Sequence, residues 1–134
     1  MSSFGLEELD RQECERLLAG AWFGRVAVFT GEQPAVLPVL YGLLDGQVVF
    51  RTAAGDKLVA AVLGREVVFE IDHVDPATKT GWSVNVVGRA EHVVHPAELA
   101  RAEALGLEAW AGEFRDQYVR IRTQRVSGRR VTAA

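Results

Sequence analysis

A chain of 134 residues with 49% hydrophobic and 25% charged side chains has the make-up of one soluble globular domain, residues 1–134, built on a single core. A net charge of −3 argues against nucleic acid as the main partner, because no basic field is available to displace counterions. One cysteine, Cys14, rules out an internal disulfide, no apolar run approaches the roughly 20 residues of a membrane helix, and the polar, acidic start from Met1 to Gln12 is unlike a secretory leader, so the expectation is a cytoplasmic protein with no membrane partner.

In chain order, the spacing predicts a short helix over Asp10–Ala19. Asp10 and Glu13 have capping-box spacing, Cys14, Leu17 and Leu18 make an apolar stripe, and Gly20 can end it. Strands follow at Phe23–Phe29 and Ala35–Leu44, separated by the turn-rich Thr30 to Pro34. Asp45-Gly46 is a two-residue hairpin signal leading into Gln47–Thr52. A short helix, Asp56–Leu63, precedes a fourth strand at Glu66–Asp72, and His73 to Lys79 reads as a loop. Thr80–Val94 is the longest strand candidate, with Gly88 marking a bulge or bend. Pro96–Leu105 is a helix with proline at its start and Gly106 past its end, and Gln117–Val126 is the last strand. Six short strands with helices at the margins predict a mainly β fold, a small antiparallel barrel with helical additions.

One junction carries chemistry. The strand ending Phe50-Arg51-Thr52 runs through Ala53-Ala54-Gly55 into the helix that starts Asp56-Lys57. A lysine in a helix's first turn opposes the macrodipole unless an anion shares the site. A phosphate there would be met by helix N–H groups, the Thr52 hydroxyl, Arg51 and Lys57 together. The plainer reading makes Asp56 an ordinary N-cap and Arg51 and Lys57 solvated surface charges. These residues alone leave both open.

The order of the pieces resembles a known family, the pyridoxamine 5′-phosphate oxidase-like FMN-binding split barrels, in their compact bacterial form. The stretches Gly24-Arg25-Val26-Ala27-Val28 and Pro34-Ala35-Val36-Leu37-Pro38-Val39 resemble the family's opening hairpin, and Phe50 to Leu58 its phosphate-binding strand and helix. Gly81-Trp82-Ser83-Val84-Asn85-Val86-Val87-Gly88-Arg89-Ala90-Glu91 resembles the next signature, and Tyr118 to Arg122 with Ser127 to Arg130 the closing strand. The match runs from about Leu9 to Val131. It implies a six-stranded antiparallel split barrel that forms a homodimer with FMN at the subunit interface. Carried over by position, Thr52 and Lys57 hold the phosphate, with Arg51 and the backbone from Ala53 through Gly55 to Asp56 around them. Backbone along Val36, Pro38 and Val39 faces the ring, and Ser83, with Trp82 beside it, touches phosphate or ring edge. Relatives often carry arginine or serine where this chain has Asp56. The arginine-rich C-terminal segment of the longer pyridoxamine oxidases is not matched, so vitamin B6 oxidation is not inferred.

What the resemblance implies is a flavin-dependent oxidoreductase acting on an unidentified small molecule, because a flavin performs electron transfer without a protein nucleophile. The alternatives are a flavin-binding module without turnover, or a relative that holds deazaflavin or haem. No catalytic residue is assigned. His73, His92 and His95 suit no common zinc spacing and read as surface residues, with no metal site. Trp22 reads as core or dimer contact, and Trp110 as packing or pocket rim. The C-terminal arginines from Arg120 to Arg130 read as the wet face of an edge strand.

Overall fold

The computed structural model of the chain describes residues 4–53, 62–108 and 116–133. Seven antiparallel strands and two helices make up the described chain: β1 (Phe4–Leu9), α1 (Arg11–Gly20), β2 (Phe23–Phe29), β3 (Pro34–Leu44), β4 (Gln47–Ala53), β5 (Glu66–Asp75), β6 (Thr80–His92), α2 (Pro96–Glu103) and β7 (Asp116–Ala133). The sheet runs β1-β7-β4-β3-β2-β5-β6, and β6 pairs back onto β7. Strands β2 to β7 therefore close into the expected six-stranded barrel, with β1 added along the far half of β7.

Alternation places the core. Val26 and Val28 of β2, Leu37, Val39 and Tyr41 of β3, Phe69 and Ile71 of β5 and Val84 and Val86 of β6 all point inward. Helix α1 plugs one end with Cys14, Leu17 and Leu18, and the Tyr41 hydroxyl donates to the Leu18 carbonyl at 2.6 Å. The Asp10 carboxylate caps α1, accepting the Glu13 N–H at 2.8 Å as its spacing foretold. Outside the barrel a second apolar cluster packs α2 onto β3, β4 and β7 through Leu44, Val49, Ala102 and Tyr118. Burial pushes the Cys14 thiol above its ordinary range, as suits a small core residue.

The turn chemistry holds. Asp45 and Gly46 take φ values of 53° and 77°, as a two-residue hairpin demands. The β6–β7 register slips between Val87 and Gly88, where a side chain on Gly88 would meet the Arg122 carbonyl oxygen at 2.2 Å.

Four expectations are corrected. β1 was not foreseen; its residues Phe4 to Leu9 pair with Ala133 to Gly128. β7 runs to Ala133 and is longer than β6, and it lies between β1, β4 and β6 rather than at an edge. The edge reading falls, while the wet face holds for the exposed Arg122, Arg125 and Arg129; Arg120 pairs with Glu98 of α2 (2.6 Å) and Glu91 of β6 (3.4 Å), and Arg122 with Glu91 (3.1 Å). β5 extends to Asp75, so the loop is only the short turn before Thr80. Trp22 is 69% exposed and does not belong to the core. The helix expected over Asp56–Leu63 lies outside the described residues up to Ala61, as does Trp110.

Candidate functional site

The barrel is split beside β3. From Pro34 to Leu40 this strand pairs with β2, whereas its pairing with β4 begins only at Tyr41. Among the described residues, no strand pairs with the other edge of residues 34–40. β4 turns away from that edge to pair with β7, setting Arg51 opposite Tyr118, Thr52 opposite Gln117 and Ala53 opposite Asp116. The strand carrying the expected phosphate residues thus ends at the mouth of the notch.

Val36 and Pro38 point outward, with Val36 59% exposed, whereas the Val39 side chain is buried in the core and offers only its backbone. Val36 lies beside Ala27, and Ala27 beside Val68, which makes a flat apolar strip on the outer face. Thr52 is buried on the same face as Phe50. Arg51 points to the opposite face, where its Nη1 donates to the Leu107 carbonyl at 2.6 Å and ties β4 to the chain after α2. Gly55, Asp56 and Lys57, the remaining phosphate residues of the expected set, lie outside the described residues.

The other expected pair sits at the head of β6. Ser83 faces outward opposite Asp72 of β5 and Arg129 of β7. Trp82 takes the inner face, packs partly against the core, and lies opposite His73 and Arg130. Thr52 and Ser83 are not neighbours within one chain. They flank β7 from opposite sides and meet it at Gln117 and Arg129, twelve residues apart, on the order of 40 Å of extended strand.

On the outer face between β3 and β6 lies a charge group that the sequence reading missed. Arg25 of β2 stands 3.6 Å from Glu70 and 3.5 Å from Asp72. Burial, the hydrogen bond to Asp72 and the Asp72 charge together push the Glu70 carboxyl up to about 7, against the pull of Arg25. Alternation along Glu66 to Asp72 places Glu70 and Asp72 together, but only the β2–β5 register brings Arg25 to them. The three histidines are exposed. No helix among the described residues is long and apolar enough to cross a membrane.

A closed six-stranded antiparallel barrel notched along one strand edge is the fold of the flavin-binding split barrels. The family model described as pyridoxamine 5′-phosphate oxidase matches residues 10–130, and the chain belongs to that family. It is 40% identical over 131 residues to an uncharacterised protein of Mycobacterium tuberculosis, covering 94% of this chain and 86% of that one. The solved structure of an FAD-binding protein from Mycobacterium smegmatis shares 34% identity, with a TM-score of 0.80 over 92% of this chain and 98% of that one. A haem-binding protein from the same organism shares 26% identity at a TM-score of 0.67, over 85% of this chain but 51% of its own.

Proposed function

We propose that the chain is a flavin-dependent oxidoreductase that works as a homodimer and holds FMN in the notch beside β3. The observation that carries this reading is the edge of Pro34 to Leu40, which no described strand pairs with, beside the end of β4 and the outward Val36 and Pro38. A planar ring fits against that apolar strip, and its heteroatoms can bond the main chain along the edge. Thr52 and Lys57 hold the phosphate, by the sequence argument that a lysine in the first turn of the helix expected over Asp56–Leu63 is best explained by an anion. Ser83 reaches the cofactor from the second subunit, because its own chain holds it at the far end of β7 from Thr52. The exposed Trp22, Phe29 and Val36 supply an apolar face for the second copy.

Bound flavin supplies hydride and electron transfer. The chain's part is to hold the phosphate, orient the ring and keep water from its covered face. The substrate is a small molecule that reaches the ring's open side.

Three measurements test this. The absorption spectrum of the purified protein should show flavin bands; a Soret band would put haem in the notch, and a colourless protein would count against the reading. Lys57→Ala should weaken FMN by about 1.5–3 kcal/mol, the scale of a charge-assisted hydrogen bond, and leave riboflavin affinity nearly unchanged. Equal losses for both ligands would remove Lys57 from the phosphate site. Flavin reduction by NADH or NADPH with turnover distinguishes an enzyme from a flavin-binding module.

A further inference from the structure

Trp82 does not share the face of Ser83, and it lines a cleft of its own. An open cleft of about 460 Å³ lies where the β5–β6 hairpin meets the end of β7. His73, Thr78, Thr80, Trp82, Arg130 and Thr132 supply its side-chain chemistry. Register explains the grouping: His73 lies opposite Trp82, Trp82 opposite Arg130, and Arg130 opposite Glu7, one cross-strand row on one face of four strands. The Trp82 and His73 rings are 6.4 Å apart at a 34° tilt, a partly exposed aromatic wall. The Thr78 and Thr80 hydroxyls are 2.7 Å apart on the facing turn.

Arg130 is the cation that the described lining offers to a ligand, and the carboxylates around it limit how much charge that ligand can carry. The Asp75 carboxylate is engaged by its own turn, accepting the N–H groups of Ala77 (2.9 Å) and Thr78 (3.4 Å). Among the described residues, the ion pairs of Arg130 are long, 3.9 Å to Glu7 and 3.8 Å to Glu13, and Glu7 is 60% exposed. An incoming carboxylate can displace Glu7 and take the guanidinium in a two-pronged contact that a loose surface pair does not make. One arginine among three carboxylates, Asp75 held by its own turn and Glu7 and Glu13 at long range, leaves room for a single negative charge and none for a phosphate dianion. The volume sits in the lower part of the range for small-ligand sites and suits one or two fused rings.

We propose that this cleft binds a small planar aromatic carboxylate, its ring against Trp82 and His73 and its carboxylate on Arg130. None of the cleft's lining residues belongs to the β3 notch, and Ser83 turns to the opposite face of β6.

The test titrates the ¹⁵N-labelled full chain, as purified, with 2-naphthoate and with its neutral counterpart 2-naphthamide. The probe is the Trp82 indole N–H resonance, assigned by its loss in Trp82→Phe. Naphthoate should shift that resonance saturably below millimolar concentration, and the amide should bind about tenfold more weakly. Arg130→Met should cost naphthoate about tenfold. Glu7→Gln, which removes the competitor on the exposed β1, should tighten naphthoate about two- to fivefold and leave the amide unchanged. A Trp82 resonance that stays still, equal affinity for acid and amide, or no response to Glu7→Gln would each overturn the proposal. The last two hold even if Arg130→Met does not fold.

Discussion

At the scale of the residue, Glu70 is where pH should be felt. Its carboxyl titrates near 7 in the folded chain against an ordinary 4.5, so the folded state binds that proton more tightly than the unfolded chain. The stability this group contributes is fully present below about 4.5 and is lost as pH rises through 7. Glu70→Gln should therefore flatten the fall in stability between those values and gain on the order of 1 kcal/mol at pH 8, read from urea melts at several pH values. Unchanged pH dependence would mean that Arg25 keeps the carboxylate charged. Tyr41 makes a simpler case. Tyr41→Phe leaves the buried Leu18 carbonyl without its donor and should cost about 1–2 kcal/mol in the same melts. Ser83→Leu tests the proposed notch: flavin content should fall while the fold persists, since Ser83 faces outward. A full flavin complement in that variant would exclude Ser83 from the cofactor.

Elements were legible where local chemistry decided them. Asp45-Gly46, the Asp10 cap and the Gly88 bulge are written in one to four residues each, and each stands where its sequence pattern placed it. Gly88→Ala should cost about 2–3 kcal/mol, because the added carbon meets the main chain of β7 rather than a side chain that can move. A wild-type urea midpoint for that variant would show that the bulge can migrate. What escaped the reading were elements made by distant partners. Phe4-Gly5-Leu6-Glu7-Glu8-Leu9 alternates poorly and carries two acids, and it becomes a strand because Gly128 to Ala133 supply the ladder. Ser127-Gly128-Arg129-Arg130 looks like a polar tail and is strand because β1 and β6 bond it from both sides. Glu70 and Arg25 are far apart in sequence, and only register makes them neighbours.

At the scale of the whole molecule, the barrel and its family were readable from four motifs in order, but the geometry of the site was not. Nothing in Thr52 or Ser83 says that one strand will hold them apart, since that separation belongs to the closure of the sheet. If two chains share the cofactor as proposed, Val36→Asp should both give a species near the 14.7 kDa of one chain in sedimentation and lose flavin. A monomeric variant that keeps its flavin would break the link between the two. The position of β7 has a consequence for how the chain comes to be made. It is the last described strand to emerge from a ribosome, yet β1, β4 and β6 all depend on it for an edge. Until it arrives, the growing chain exposes unpaired strands that a neighbouring nascent chain can claim. The slow step of folding should then be this late, long-range closure, with the first strand waiting longest of all for its mate.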